Sequence, residues 1–277
     1  MYLVTGATGT VGRPLVHALV AEGRPVRALS RRSGDGLPDS VEVVAPEQAE
    51  VAMTGVECLF VHPRAAKDNV GELLDLAAAR GVERVVVMSA INADDEFAHQ
   101  PSRCNGDRNT EVERAVIAGG LPWVSIRPSS FAMNSLAMWR DQIARGDVVY
   151  GPYASFAEAV IHERDVAEVL AHAMSDATLL GRRIPITGPE AVSLERMVAA
   201  IGETLGRPLR YQEIPAPTAA RGMIEHGLGE GFAHALLERY ARELERTPVV
   251  TGEVAAILGR PPRPYPAWVT DHRAAWS

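Results

Sequence analysis

The sequence predicts an α/β protein, a doubly wound parallel sheet with a smaller, mostly helical carboxyl-terminal cap. Three observations carry that prediction. Short β-branched runs alternate with helical patterns through the first half of the chain, the rhythm of strand–helix–strand units. Two of the runs, VECLFV and VERVVVM, are nearly continuous in apolar residues, as strands covered on both faces must be. From about residue 129 the alternation loosens and helical stretches dominate.

Taken in order, MYLVT reads as a strand and VGRPLVHALVAEG as a helix closed by Gly23. PVRALSR and VEVVA are the second and third strands, and PEQAEVAMTG is a short connection. VECLFVH is the fourth strand, AAKDNVGELLDLAAARG one helix ending at Gly81, and VERVVVMSA the fifth strand. A polar loop leads into the helix TEVERAVIAGG and the sixth strand, PWVSIRP. Residues 1–128 then form the first domain, to which later segments can return, and residues 129–277 the cap over the carboxyl ends of the strands. The cap helices are SFAMNSLAMWRDQIARG, ERDVAEVLAHAMSD, SLERMVAAIGETLG and EGFAHALLERYARELER, with VVYG, RRIPITG and LRYQEIP between them. The last helix is amphipathic, a face a second copy of the chain would fit, so a homodimer is expected. GRPPRPYPAW is short enough to be an ordered tail.

A chain of 277 residues buries a substantial core without cross-links. The net charge of -7 argues against a nucleic-acid surface. No apolar run is long enough to span a bilayer, and MYLV stops at a glycine turn rather than forming a signal peptide. Two cysteines, Cys58 in an apolar run and Cys104 in a polar loop, show neither metal-ligand spacing nor a disulfide framework. A cytoplasmic location is expected, with no bound metal. Metal-hydrolase and serine-hydrolase motifs do not occur.

VTGATGTVG, residues 4–12, places Gly6, Gly9 and Gly12 directly after a strand and at the opening of a helix. In that context the spacing is a dinucleotide-binding turn. Gly6 permits the tight turn, Gly9 lets the backbone approach a pyrophosphate, and Gly12 lets the helix pack on the strand. The free N–H groups of the helix start and its dipole face the phosphates. The second strand ends in Ser30, Arg31 and Arg32, where an NAD site ordinarily has an acid for the ribose hydroxyls. Two guanidinium groups and a hydroxyl suit a 2′-phosphate, so NADP(H) is expected over NAD(H).

Together with VRALSR, GVERVVVMSA, LPWVSIRPSSFAMNSL, IHERDVAEVLAHAM, ITGPEAVSLERMVAAI, GRPLRYQEIP and TGEVAAILGRPP, that loop resembles the NmrA-like family of atypical short-chain dehydrogenases/reductases, nearly end to end. The resemblance implies a Rossmann domain with NADP(H) along the strand ends and a substrate pocket over the nicotinamide. It matches Gly6, Thr8, Gly9, Thr10, Val11 and Gly12 to the phosphate loop, and Arg31 to the basic residue after strand two. His62 and Pro63 fall beside the ribose, Ser89 where a hydroxyl polarises substrate, and Pro128, Ser129 and Phe131 on the nicotinamide side. The loop beside the adenine is shortened here to APEQAEVAM. Some members of the family resemble NADPH-dependent reductases of quinones, azo compounds or small carbonyls. Others bind the dinucleotide without turnover and act as redox sensors.

Related reductases carry a Tyr-x-x-x-Lys proton relay at the helix after strand five. Asn105 and Asn109 stand there in this chain, four apart and so on one helical face, and neither titrates near neutral pH. The single lysine, Lys67, is elsewhere. Asn105 and Asp107 read as helix caps, and Asn109 as a donor to ribose or nicotinamide. Ser89 and Asn109 are therefore the candidate catalytic residues. Without the relay, hydride transfer suits an acceptor whose reduced oxygen is weakly basic, such as a quinone. Phe131, Met133, Trp139, Tyr150 and Tyr153 would supply apolar walls for such an aromatic substrate, and Asp165 is structural. The rival readings are a non-enzymatic NADP(H) sensor and a biosynthetic ketoreductase or epimerase.

Overall fold

A computed structural model describes residues 1–66 and 69–276. Lys67, the single lysine, lies outside the described residues. Among those described, seven strands form one parallel sheet in the order β3-β2-β1-β4-β5-β6-β9. They are β1 (Tyr2–Thr5), β2 (Val26–Leu29), β3 (Glu42–Val44), β4 (Cys58–Val61), β5 (Arg84–Met88), β6 (Trp123–Pro128) and β9 (Arg183–Ile186). The order runs outward in both directions from β1 and β4, so a crevice opens between them at their carboxyl ends. Leu3, Leu59, Phe60, Val85, Val86 and Val87 are wholly buried, because helices cover both faces. On one face Leu15, Val16 and Leu19 of α1 (Gly12–Ala21) pack with Val166, Val169 and Leu170 of α7 (Glu163–Ala173). On the other lie α2 (Ala49–Ala52), α4 (Val70–Ala79) and α5 (Asn109–Ala118). Each fully buried Leu or Val contributes about 1.5–3 kcal/mol relative to exposure.

The region after residue 128 is divided between sheet and cap. Its RIPI segment is β9, paired in parallel with β6 from Ser125↔Arg183 to Pro128↔Ile186. Helix α7 and the short α11 (Glu253–Leu258) also return to the sheet layer. The cap proper comprises α6 (Asn134–Arg145), α8 (Leu194–Leu205), α9 (Ala216–Glu225), α10 (Glu230–Glu243) and α12 (Tyr265–Asp271). It also holds two strand pairs: β7 (Val148–Gly151) with β11 (Arg210–Glu213), and β8 (Ala157–Glu158) with β10 (Val192–Ser193). Trp139, Ile143, Phe156, Ile201, Leu236, Leu237, Tyr240 and Trp268 form its separate core. The apolar face of α10 is thus covered within the chain.

Local chemistry sets several boundaries. Ser193 caps α8, its side chain accepting from Arg196 N, and Gly206 ends that helix at φ +71°. His162 caps α7 through its side chain. Buried Asp165 accepts from Arg263 N at 2.6 Å and from Arg260 at 2.8 Å, tying the proline-rich tail to α7. Two predicted helices differ from the sequence reading. Of AAKDNVGELLDLAAARG, Ala65 and Ala66 belong to α3 (Pro63–Ala66) and α4 begins at Val70, after Asn69 at φ -91° and ψ 9°, residues 67 and 68 lying outside those described, and SFAMNSLAMWRDQIARG turns helical at Asn134. The Phe131 backbone instead bridges to Ile161, and a turn at Ala132 and Met133 leads into α6.

Candidate functional site

The glycine loop is shaped by sterics. Gly6 has φ +65°, and a Cβ on it would lie 3.2 Å from the Cβ of His62. A Cβ on Gly12 would meet the Gly6 carbonyl oxygen at 2.2 Å and Ala7 Cα at 2.8 Å, an impossible approach. Gly12 does not line the cleft, so its contribution is to seat α1 against the turn rather than to touch a ligand. The start of α1 has no side-chain cap and no acid in its first turn. The N–H groups of Thr10 and Val11 have no acceptor among the described residues. A helix start left in that state is a ready anion site.

Around that loop runs a cleft of about 1430 Å³ across the carboxyl ends of the strands. Gly6, Thr8, Gly9, Thr10, Val11, Ser30, Arg31, Arg32, His62, Pro63, Ser89, Asn109, Pro128, Ser129 and Phe131 all line it. Arg31 and Arg32 are exposed, and their guanidinium groups have no partner among the described residues. The Ser30 hydroxyl holds the loop, accepting from Arg32 N at 3.1 Å and lying 3.3 Å from Thr8 Oγ1. Pro46 and Ala49 of the shortened loop border the same end.

His62 follows β4, and its backbone N donates to Thr5 Oγ1 at 2.8 Å. Its Nδ1 accepts from Arg64 N at 3.2 Å, which leaves the proton of the neutral ring on Nε2. Burial is the main cause that pushes its pKa down to about 4, with Asp107 opposing the shift. Ser89 is buried, and its hydroxyl has no partner among the described residues. A buried hydroxyl with unspent capacity, a free N–H pair and two free guanidinium groups fit a dinucleotide phosphate backbone and its carboxamide end. The Ser129 hydroxyl is already engaged with the Ala159 carbonyl at 2.6 Å.

The asparagine pair is arranged differently from its spacing. Asn105 ends a 3-10 turn, Pro101–Asn105, which Gly106 terminates at φ +84°. Helix α5 begins only at Asn109, after Arg108 at φ -129° and ψ 47°. The two residues do not share one helical face, although both line the cleft. Asn105 and Asp107 do not cap α5, which lacks a side-chain cap. Asp107 instead accepts from Arg64 at 2.8 Å, clasping α3 to the loop before α5.

The acceptor end brings together residues the sequence did not single out. Arg239 of α10 donates to Glu158 of β8 at 2.9 Å, to Glu243 at 3.0 Å and to Ser130 Oγ at 3.2 Å. Ser130 donates to Glu158 at 2.6 Å. Burial disfavours the Arg239 cation, but the two carboxylates outweigh that, and its pKa lies above the ordinary value. The one hint in the sequence is that Arg239 falls on the apolar side of α10, between Leu236 and Tyr240 at helical spacing. Of the expected apolar walls, Phe131 and Met133 line the cleft and three aromatics do not. Trp139 is sealed in the cap core, Tyr153 packs against that core, and Tyr150 is 52% exposed. Met138, Phe232 and Leu236 take their place.

Residues 6–177 match the NAD(P)H-binding family. The whole chain is 32% identical to the (4-alkanoyl-5-oxo-2,5-dihydrofuran-3-yl)methyl phosphate reductase of Streptomyces griseus, spanning 99% of that protein. It is 29% identical to the NAD(P)H azoreductase of Xenophilus azovorans, with 100% of this chain and 99% of that protein covered. Among solved structures, an NADPH-dependent quinone oxidoreductase from Escherichia coli aligns with a TM-score of 0.81 at 20% identity, over 98% of this chain and 99% of the other. The triphenylmethane reductase of Citrobacter sp., complexed with NADP(H), aligns with the same TM-score at 17% identity, over 98% of this chain and 99% of the other. Such distant likeness establishes the fold, while the match over residues 6–177 and the whole-length relatives establish the family: the chain belongs to the NAD(P)H-binding family.

Proposed function

We propose that this NAD(P)H-dependent oxidoreductase uses NADPH to reduce a quinone or a similarly activated carbonyl, by hydride transfer without a Tyr-Lys relay. The observation that supports the reading is that two amides, Asn105 and Asn109, which the family resemblance matches to the Tyr-Lys pair, both line the cleft. Neither amide exchanges a proton near neutral pH. The bound dinucleotide supplies the hydride, and the protein positions it and shields it from water. The helix start at Thr10 and Val11 and the Nε2–H of His62 hold phosphate and ribose oxygens. Arg31 and Arg32 take the 2′-phosphate, Ser89 and Asn109 orient acceptor and nicotinamide, and Phe131 and Met133 supply a flat apolar wall.

The test is NADPH oxidation against a panel of quinones. Turnover supports the reading, whereas dinucleotide binding with no turnover on any acceptor favours the sensor. Arg31→Ala removes a charge-assisted contact of about 1.5–3 kcal/mol, roughly 10–100-fold in NADPH affinity. NADH affinity stays within about twofold, since the contact is to the 2′-phosphate alone. Equal losses for both dinucleotides would refute the NADP(H) assignment. Whole-length identity to a reductase of an unsaturated lactone supports a second reading, a biosynthetic tailoring reductase. Deuteride transfer from labelled NADPH into a defined product distinguishes it.

A further inference from the structure

The six tyrosines of the chain stand in different surroundings. Tyr211 donates to the Pro152 carbonyl at 2.8 Å and Tyr265 to Ser135 Oγ at 2.8 Å. Among the described residues Tyr240 is the one tyrosine that lines the cleft. The residue is 2% exposed, and its ring stacks on Phe156, with centroids 4.1 Å apart and planes at 28°. Among the described residues the hydroxyl has one hydrogen-bond partner, the thioether of Met138 at 3.8 Å. A thioether is a weak acceptor, and a buried phenol ordinarily finds oxygen or nitrogen. A strong donor is therefore left nearly unspent beside the acceptor end of the cleft. Its chain neighbour Arg239 bonds to Ser130, two residues beyond β6, which fixes α10 against the strand-end loop. Burial, and secondarily Glu158, push the phenol pKa above its ordinary 10, so the hydroxyl stays protonated at neutral pH.

We propose that Tyr240 is the proton donor of the reaction, hydrogen-bonding the acceptor oxygen and protonating it as the hydride arrives. The inference rests on the reductase reading. The hydride adds its proton and electron pair to the electrophilic carbon of the acceptor, and the displaced π pair comes to rest on oxygen. That oxygen takes the proton from Tyr240 Oη. Burial and Glu158 disfavour the tyrosinate left behind, the Arg239 cation offsets part of that cost, and the tyrosinate recovers its proton from water. A donor from the cap helix would thus do the work that the asparagines cannot.

Tyr240→Phe keeps the ring and its stack and removes the hydroxyl alone. A series of 1,4-naphthoquinones running from electron-poor to electron-rich makes the reduced oxygen progressively more basic and the donor progressively more important. The expected loss in kcat grows along the series, from about twofold to about 10²-fold at the electron-rich end. Binding of 1,4-naphthoquinone without dinucleotide, read by tryptophan quenching, weakens roughly 3–10-fold. NADPH affinity and melting temperature are unchanged. A kcat loss that is flat along the series, or absent, with unchanged naphthoquinone binding overturns the role of Tyr240 and leaves the reductase reading intact. A wild-type protein that reduces no quinone overturns both.

Discussion

At the dinucleotide end of the cleft the N–H groups open to an anion come from one strand–turn–helix unit, residues 4–12, and their placement is a matter of backbone. At the acceptor end they come from Ser130, Glu158, Arg239 and Glu243, on separate elements joined by side chains. The first end depends on what a glycine allows, the second on every partner of a desolvated ion cluster being present. A backbone site fails when an atom is added. An ion cluster fails when one is removed.

Arg239→Met tests the second half of that contrast and carries the largest effect. It removes the cation that Glu158 and Glu243 share, leaving Glu243 only its contact to Arg242. Breaking one partner out of such a partly buried pair costs about 3 kcal/mol, which lowers the melting temperature by roughly 6–12 °C. The quinone KM should rise while NADPH affinity stays within about twofold, because no Arg239 contact reaches the glycine loop. A parallel fall in NADPH affinity would show that the two ends are not independent.

Gly12→Ala is the converse, an addition at the backbone end. Its Cβ would meet the Gly6 carbonyl oxygen and Ala7 Cα far inside contact distance, with main-chain atoms that cannot rotate away. Overpacking of this kind costs about 2 kcal/mol, a loss of roughly 4–8 °C in melting temperature. The turn must shift as well, so NADPH binding weakens by more than tenfold. Quinone binding without dinucleotide is left intact. Gly9→Ala meets only one atom, at 3.2 Å, and should melt close to wild type.

This contrast also explains what could be read from the sequence. The glycine loop was legible because its geometry is local and encoded within nine residues. The parallel sheet was legible because a strand covered on both faces must be apolar throughout, as in VERVVVM. The ion cluster was not legible, because Ser130 and Arg239 are brought together only when the cap folds back, and a charged residue in an amphipathic helix ordinarily faces water. The asparagine pair shows a subtler failure. Spacing of four places side chains on one face only inside a continuous helix, and Gly106 at positive φ breaks that continuity. Trp139 and Tyr150 fail as pocket walls for a related reason. An aromatic side chain in a cap helix or strand has three destinations, cleft, core and surface, and composition does not choose among them.

His62 is the exception that sharpens the comparison, a titrating side chain at the end built from backbone. Its folded pKa lies near 4, below the ordinary 6.5 of the unfolded chain, chiefly through burial. Between those two values the unfolded chain binds a proton that the folded protein refuses. The unfolded state therefore gains on acidification, and stability falls as the pH drops from 6.5 towards 4. Full expression of the shift would amount to about 3 kcal/mol, and the ring's partial access to the cleft reduces this to roughly 1–2 kcal/mol. His62→Gln removes the titrating group, so its stability curve, followed by urea denaturation, should be flatter than that of wild type across this window. Saturating NADPH should steepen the wild-type curve, because the neutral ring that donates through Nε2–H is the form suited to the dinucleotide. Parallel curves for the two proteins would place the acid sensitivity elsewhere, and the dinucleotide end would then owe its behaviour to backbone groups alone.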